Sequence, residues 1–148
     1  MKIVVLKFGG TSVGSIERIK KVVKIINSYH KKRYKIIVVS SAMSGVTNDL
    51  ISKSKEISEN FLSSEYDVLV SSGEQVACSL IAARLSHIGL KSRSWLSWQI
   101  PIITNSTHKN AKILSIYKKK ILDYLKVGGI PIVAGFQGID INSRITTI

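Results

Sequence analysis

Lys2-Ile3-Val4-Val5-Leu6-Lys7-Phe8-Gly9-Gly10-Thr11-Ser12 is the stretch that decides the fold. Residues Lys2–Lys7 form a short β-branched run, the pattern of a buried strand, and Gly9-Gly10 end it. A polar turn follows. Ile16, Ile19, Val22, Val23 and Ile26 then recur at helical spacing and build one apolar face. Lys20, Lys21 and Lys24 fall largely on the opposite face. Ser12 or Ser15 is placed to cap the start of this helix. Strand, polar turn and amphipathic helix in that order are the repeating unit of a layered α/β fold.

The rest of the chain repeats the unit. Ile36–Ser40 reads as a second short strand, and Ala42–Gly45 as a small-residue loop. Thr47 is placed to cap a helix running to about Glu59. Gly73–Ile88 reads as a further helix, with Gly89 where a C-terminal glycine stop belongs. Arg93–Leu96 reads as a strand, while periodicity leaves Ile113–Ile116 open between strand and helix. Ile121, Leu122 and Leu125 suit a helix ended by Gly128-Gly129. Ile130–Ala134 is a strand in which Pro131 is tolerable near the beginning or on an edge. The expected architecture is an αβα sandwich with a mostly parallel sheet. No final helix closes the unit after residue 134.

The chain has 148 residues, 45% of them hydrophobic and 21% charged, which suits a single folded domain. One cysteine excludes an internal disulfide framework. The uninterrupted aliphatic runs are only about four residues long, against roughly 20 needed to span a bilayer. The start, Met1–Lys7, has too short an apolar part for a signal peptide, whose core needs about 7–15 residues. A cytoplasmic protein without a membrane partner is expected. Lysine and arginine number 22 against 9 acidic residues, a formal charge of +13. The basic groups Lys20-Lys21-Lys24, Lys31-Lys32-Arg33-Lys35 and Lys118-Lys119-Lys120 lie on or beside apolar-periodic segments. No aromatic residues interleave with them as a stacking platform, so the charge by itself does not make a nucleic-acid binder.

Three polar loops carry candidate chemistry. Lys7-Phe8-Gly9-Gly10-Thr11-Ser12 leaves a strand and enters a helix, where an open α/β sheet collects its ligands. Paired glycines let the backbone approach an anion, the helix start offers free N–H groups, and Lys7 adds a full positive charge. The loop is neither a Walker A loop, because Gly14 is followed by Ser15-Ile16, nor a G-x-G-x-x-G turn. Ser40–Asn48 forms a second loop at the same end of the sheet. Ser71-Ser72-Gly73-Glu74 opens a helix, with Glu74 in its first turn, where the dipole favours an acid; as a site residue it is a fixed anion for a substrate ammonium. His30, His87 and His108 lack metal-ligand spacing with Cys78. No motif ties Asp49, Asp67, Asp123 or Asp140 to a histidine.

Together these loops resemble the N-terminal part of aspartate kinase, within the amino-acid kinase superfamily. The matching blocks are Lys7–Val13, Val39–Asn48, Ser71–Gln75, and Gly135-Phe136-Gln137-Gly138 leading to Arg144-Ile145-Thr146-Thr147. The resemblance covers essentially the whole chain. It implies ATP-dependent phosphorylation of the L-aspartate side-chain carboxylate, the first step toward lysine, threonine, methionine and diaminopimelate. It implies that Lys7 stabilises the moving phosphoryl group and that Lys7, Phe8, Gly9 and Gly10 bind ATP. It also implies that Ser41 and Thr47 hold the substrate, that Glu74 meets its amino group, and that Phe136 walls the aspartate pocket. Mg2+ is expected to arrive with the nucleotide.

Three departures from the family pattern accompany the match. Asn105 stands where an aspartate is expected, and Ile100-Pro101 where the family has Ala-Gly. The family's Leu-Gly-Arg-Gly-Gly-Ser-Asp run would come after Ile148. Residues 1–148 are therefore expected to be the N-terminal part of the catalytic domain, without its nucleotide-side half and regulatory domains. Three readings follow: an aspartate kinase completed by another polypeptide or by self-assembly, an inactive remnant of one, or a basic nucleic-acid-binding module.

Overall fold

The computed structural model describes residues 2–148; Met1, part of the apolar start, lies outside the described residues. Strands β1 (Ile3–Phe8), β2 (Lys35–Ser40), β3 (Ser92–Trp95), β4 (Ile102–Thr104), β5 (Ile113–Ile116), β6 (Ile130–Ala134), β7 (Gln137–Ile139) and β8 (Ile145–Thr147) form two sheets. The helices are α1 (Ile16–Lys31), α2 (Val46–Ile57), α3 (Ser63–His87) and α4 (Lys119–Lys126). The first sheet has the order β1-β2-β6-β3 and is parallel throughout. The second, β5-β4-β7-β8, is mixed, with one parallel pair, β4 with β7.

Alternation along the first sheet sends side chains to two faces. Ile36, Val38, Ile130, Ile132 and Ala134 join α1 and α3 in the larger core. There α1 buries Ile19, Val22, Val23 and Ile26 to 3% exposure or less, each worth roughly 1.5–3 kcal/mol. Val133, Trp95, Ile121 and Leu125 form a smaller core on the opposite face, with Ile37 and Val39 partly buried against it. α4 supplies the helical cover there. Ile3 and Val5 of β1 reach past it and stay 45% and 59% exposed.

Several local expectations are corrected. Ser15, rather than Ser12, caps α1 by accepting a hydrogen bond from the Arg18 amide at 3.2 Å. Thr47 caps nothing: α2 begins at Val46 behind Gly45, whose φ of +85° is the left-handed conformation that glycine adopts freely. α3 begins at Ser63, ten residues before the expected start, so Glu74 lies mid-helix and the first-turn explanation for it fails. Ile113–Ile116 is a strand with all four residues exposed. Strands β4, β7 and β8 were not anticipated. Pro131 sits in an interior strand. The ladder from β6 to β2 starts only at Ile132 with Val38, so the missing N–H falls just before the pairing begins. α3 is long and apolar enough to cross a membrane by composition, but Ala77, Cys78, Ile81 and Leu85 are buried in the larger core, and Val70 is buried as well.

Candidate active site

The C-terminal ends of β1, β2 and β6 open into one cavity of about 860 Å3. Lys7, Gly10, Ser41, Thr47, Glu74 and Phe136 all line it. Six of the eight residues singled out from the sequence thus converge, from four separate segments. Phe8 and Gly9 do not line it. Phe8 alternates to the other face of β1 and is buried in the larger core, which its position after Lys7 in a strand requires.

Close backbone packing holds the loops together. The Ser12 amide donates to the Gly9 carbonyl at 2.9 Å, closing the turn after β1. A Cβ on Gly10 would lie 3.0 Å from the Ala42 carbonyl oxygen, so this first loop sits directly on the second. The Ser41 amide donates to the Phe8 carbonyl and the Gly135 amide to the Ser40 carbonyl, both at 3.0 Å. These bonds continue the parallel ladder beyond the strands and bring the three loop starts side by side.

Glu74 supplies the negative charge. It is 3% exposed, and its Oε1 accepts a hydrogen bond from the Ala42 amide at 3.0 Å. Its Oε2 is buried without a hydrogen-bond partner. Burial pushes the carboxyl above its ordinary value, with the Ala42 amide opposing. A buried carboxylate oxygen left without a donor is costly, and a cationic group in the cavity would satisfy it. Lys7 and Lys118 also line the cavity. The remaining wall is apolar, with Ile37, Val39, Ile102, Ile116 and Val133. Phe136 adopts φ of +63°, uncommon for a residue with a side chain. Such strain gathers at ligand sites.

Sequence reasoning missed the buried polar stripe of α3 that reaches the cavity at Glu74. Asp67, Ser71 and Glu74 follow one face of α3 at intervals of four and three, all at 3% exposure or less. Gln137 Nε2 donates to the Ser71 carbonyl at 3.1 Å. Asp67 lies 2.7 Å from His108 Nδ1 and takes the Thr147 hydroxyl at 2.6 Å. A histidine–aspartate pair therefore exists although no motif announces it; 41 residues separate the partners. Acids at helical spacing within an apolar segment were the available signal. Asn105 makes the bonds of an acceptor at its position: its Oδ1 takes the Lys112 amide at 2.9 Å. Among the described residues no three histidine, cysteine or acidic side chains gather as a metal cluster.

The chain is 47% identical to the aspartokinase of Rickettsia conorii over its whole length, but spans 38% of that protein. It is 45% identical to an aspartate kinase of Stutzerimonas stutzeri and spans 36% of it. Among solved structures, aspartate kinase from Synechocystis superposes on 99% of the chain with a TM-score of 0.84 and 33% identity; the match is 23% of that protein. Aspartokinase III of E. coli, in complex with aspartate and ADP, superposes with a TM-score of 0.85 at 20% identity, which bears on the fold alone. The sequence profile of the amino acid kinase family matches residues 2–147, and the chain belongs to that family.

Proposed function

We propose that this chain is the substrate-binding portion of an aspartate kinase, working in the cytoplasm. The reaction is attack of an L-aspartate side-chain carboxylate oxygen on the γ-phosphorus of ATP. A new P–O bond forms, the bond to the β-phosphate oxygen breaks, and ADP leaves. The acceptor, with a pKa of about 3.9, is already ionised at neutral pH and needs no strong base. The barrier lies in bringing one anion to another, so positioning and charge neutralisation do most of the work.

The observation that carries this reading is the convergence of Lys7, the Gly10 turn, Ser41, Thr47, Glu74 and Phe136 on one cavity. The free Oε2 of Glu74 suits the substrate ammonium. Lys7 at the end of β1 suits the transferring phosphoryl group. Gly10 lets the turn after β1 lie close against the Ala42 loop at the cavity. Phe136 bounds the aspartate pocket. Phe8 holds β1 in place from the core and contributes to ATP binding only through the backbone, as does Gly9. Nucleotide phosphates fit this donor set. A resident Mg2+ does not: among the described residues Glu74 is the single acidic side chain on the cavity, and Mg2+ asks for near-octahedral oxygen ligation. The cation would arrive on the nucleotide.

The catalytic site needs completion. The chain spans 38% of its Rickettsia relative, and the apolar cavity wall continues into the exposed Ile3 and Val5 of β1. A segment equivalent to the rest of that relative, in the same chain or another, covers this face and supplies the remainder of the nucleotide site. The test is ADP release by the purified chain with MgATP, with and without L-aspartate. It is run alone and after adding the part of the Rickettsia conorii aspartokinase outside the aligned region. Aspartate-dependent release by the mixture, lost in Lys7→Ala, is expected. Release that ignores L-aspartate, or survives Lys7→Ala at near-normal turnover, would defeat the proposal.

A further inference from the structure

We propose that Asp67 is a positioning residue that sets the substrate wall of the cavity through Thr147. This rests on the reading of that cavity as the aspartate site. Asp67 is fully buried on α3 and gathers donors from two distant segments. Its Oδ1 accepts the Thr147 hydroxyl at 2.6 Å and the Lys109 amide at 3.0 Å. Its Oδ2 lies 2.7 Å from His108 Nδ1. A carboxyl group with hydrogen-bond partners on both oxygens is held firmly in one orientation.

The connection from Asp67 to the cavity is one strand long. Thr147 closes β8, and its carbonyl accepts the Ala111 amide at 2.8 Å. Ile148, the next residue, lines the cavity and donates its amide to the Phe136 carbonyl at 3.1 Å. Phe136 lines it too and is held at positive φ. Gln137, which follows Phe136, pairs with Thr147 across the β7–β8 ladder. Seven residues further along the same stripe of α3, Glu74 faces the cavity. One helix therefore fixes both sides of the pocket: the anion directly, and the Phe136–Ile148 wall through Asp67. The spacing between them limits which amino-acid substrate fits.

Two isosteric variants test this. Thr147→Val removes only the hydroxyl that reaches Asp67, and Asp67→Asn removes the charge. Thr147→Ser restores the hydroxyl and serves as the conservative rescue. Residue-resolved amide exchange and L-aspartate binding by calorimetry are measured on the 148-residue chain. In Thr147→Val and Asp67→Asn, exchange at the Ile148 and Ala111 amides is expected to rise at least 10-fold. Exchange in β1, β2 and β6 stays within 2-fold. L-aspartate affinity falls at least 10-fold, and Thr147→Ser matches the parent. An even rise across the parallel sheet would mean a general stability role and overturn the proposal, as would an unchanged Ile148 amide. A parent chain that binds no L-aspartate would count against the substrate reading alone, because the exchange pattern still decides the positioning.

Discussion

Glu74 carries the sharpest consequences of any single residue. Burial raises its pKa above the ordinary 4.5, so the folded chain holds the proton more tightly than the unfolded chain does. Stability from this group is fully present below the unfolded value and is lost as pH rises through the folded one. Glu74→Gln keeps the shape and an acceptor for the Ala42 amide but removes the charge. It should raise the melting temperature by about 2–4 °C at pH 7, as about 1 kcal/mol would in a domain of this size. The gain should shrink toward zero below pH 4.5. Calorimetric melts across pH check the sign. The same variant should weaken L-aspartate binding about 10- to 100-fold, the value of a charge-assisted hydrogen bond. Stability gained while binding is lost would mark a site residue. Cys78, one turn further on, is the contrasting case. Burial, with the Glu74 charge adding to it, pushes its thiol up to about 12. It should resist a thiol-specific disulfide reagent at pH 8 in the folded chain and react on unfolding.

At the scale of the element, α3 decides both the packing and the site. A Cβ on Gly73 would stand 2.8 Å from the Ala42 Cβ and 3.2 Å from Val46 Cγ1. The bare glycine lets the helix approach the second loop closely enough for the Ala42 amide to reach Glu74. Alanine at a helix interior gains about 1 kcal/mol over glycine, whereas overpacking a tight contact costs about 1–3 kcal/mol. Gly73→Ala should therefore destabilise the chain by about 1 kcal/mol in urea unfolding and weaken L-aspartate binding as the loop is displaced. The first half of α3 also shows why part of the fold was hard to read. Ser63–Ser72 interleaves Asp67 and serines with Tyr66, Val68, Leu69 and Val70, so its apolar residues do not hold one helical face. The buried polar stripe, not an apolar one, gives the period. β7 and β8 are three residues each, too short to show alternation. Their hairpin turns through Asp140–Ser143, where Asp140 Oδ1 accepts the Asn142 and Arg144 amides at 2.9 Å. By contrast, α1 was legible because its burial follows the helical period; β1 was legible as a strand, but the expectation that it is buried is corrected, since Ile3 and Val5 stay exposed. The site loops were legible because Lys7 lies near the end of β1, and Ser41 and Phe136 lie just beyond β2 and β6, strands of one parallel sheet whose C-terminal ends share one edge.

The whole molecule is unevenly covered. One face of the parallel sheet lies under α1 and α3, while on the other the short α4 leaves Ile3 and Val5 open. Among the described residues β1 pairs with β2 alone, so its other edge offers free backbone donors and acceptors. β5 is an edge strand too, with Ile113, Leu114 and Ile116 exposed beside the same cavity. Two apolar edges flanking one apolar trough are a template for association. The formal charge of +13 opposes collapse of like chains onto each other, since repulsion between them grows at low salt. Self-association should therefore be weak in dilute buffer and strengthen as salt screens the charge. This is the reverse of the behaviour expected of polyanion binding, which salt weakens. Sedimentation velocity at two salt concentrations measures the direction. Val5→Glu puts an acid on the open strand at a side chain that is 59% exposed. It should leave folding stability within about 0.5 kcal/mol and abolish the salt-induced association. It should also cut binding of the complementing aspartokinase segment at least 10-fold. Association that strengthens with salt yet ignores Val5→Glu would place the contact elsewhere on the molecule, and the case for completing the site across β1 would then fail.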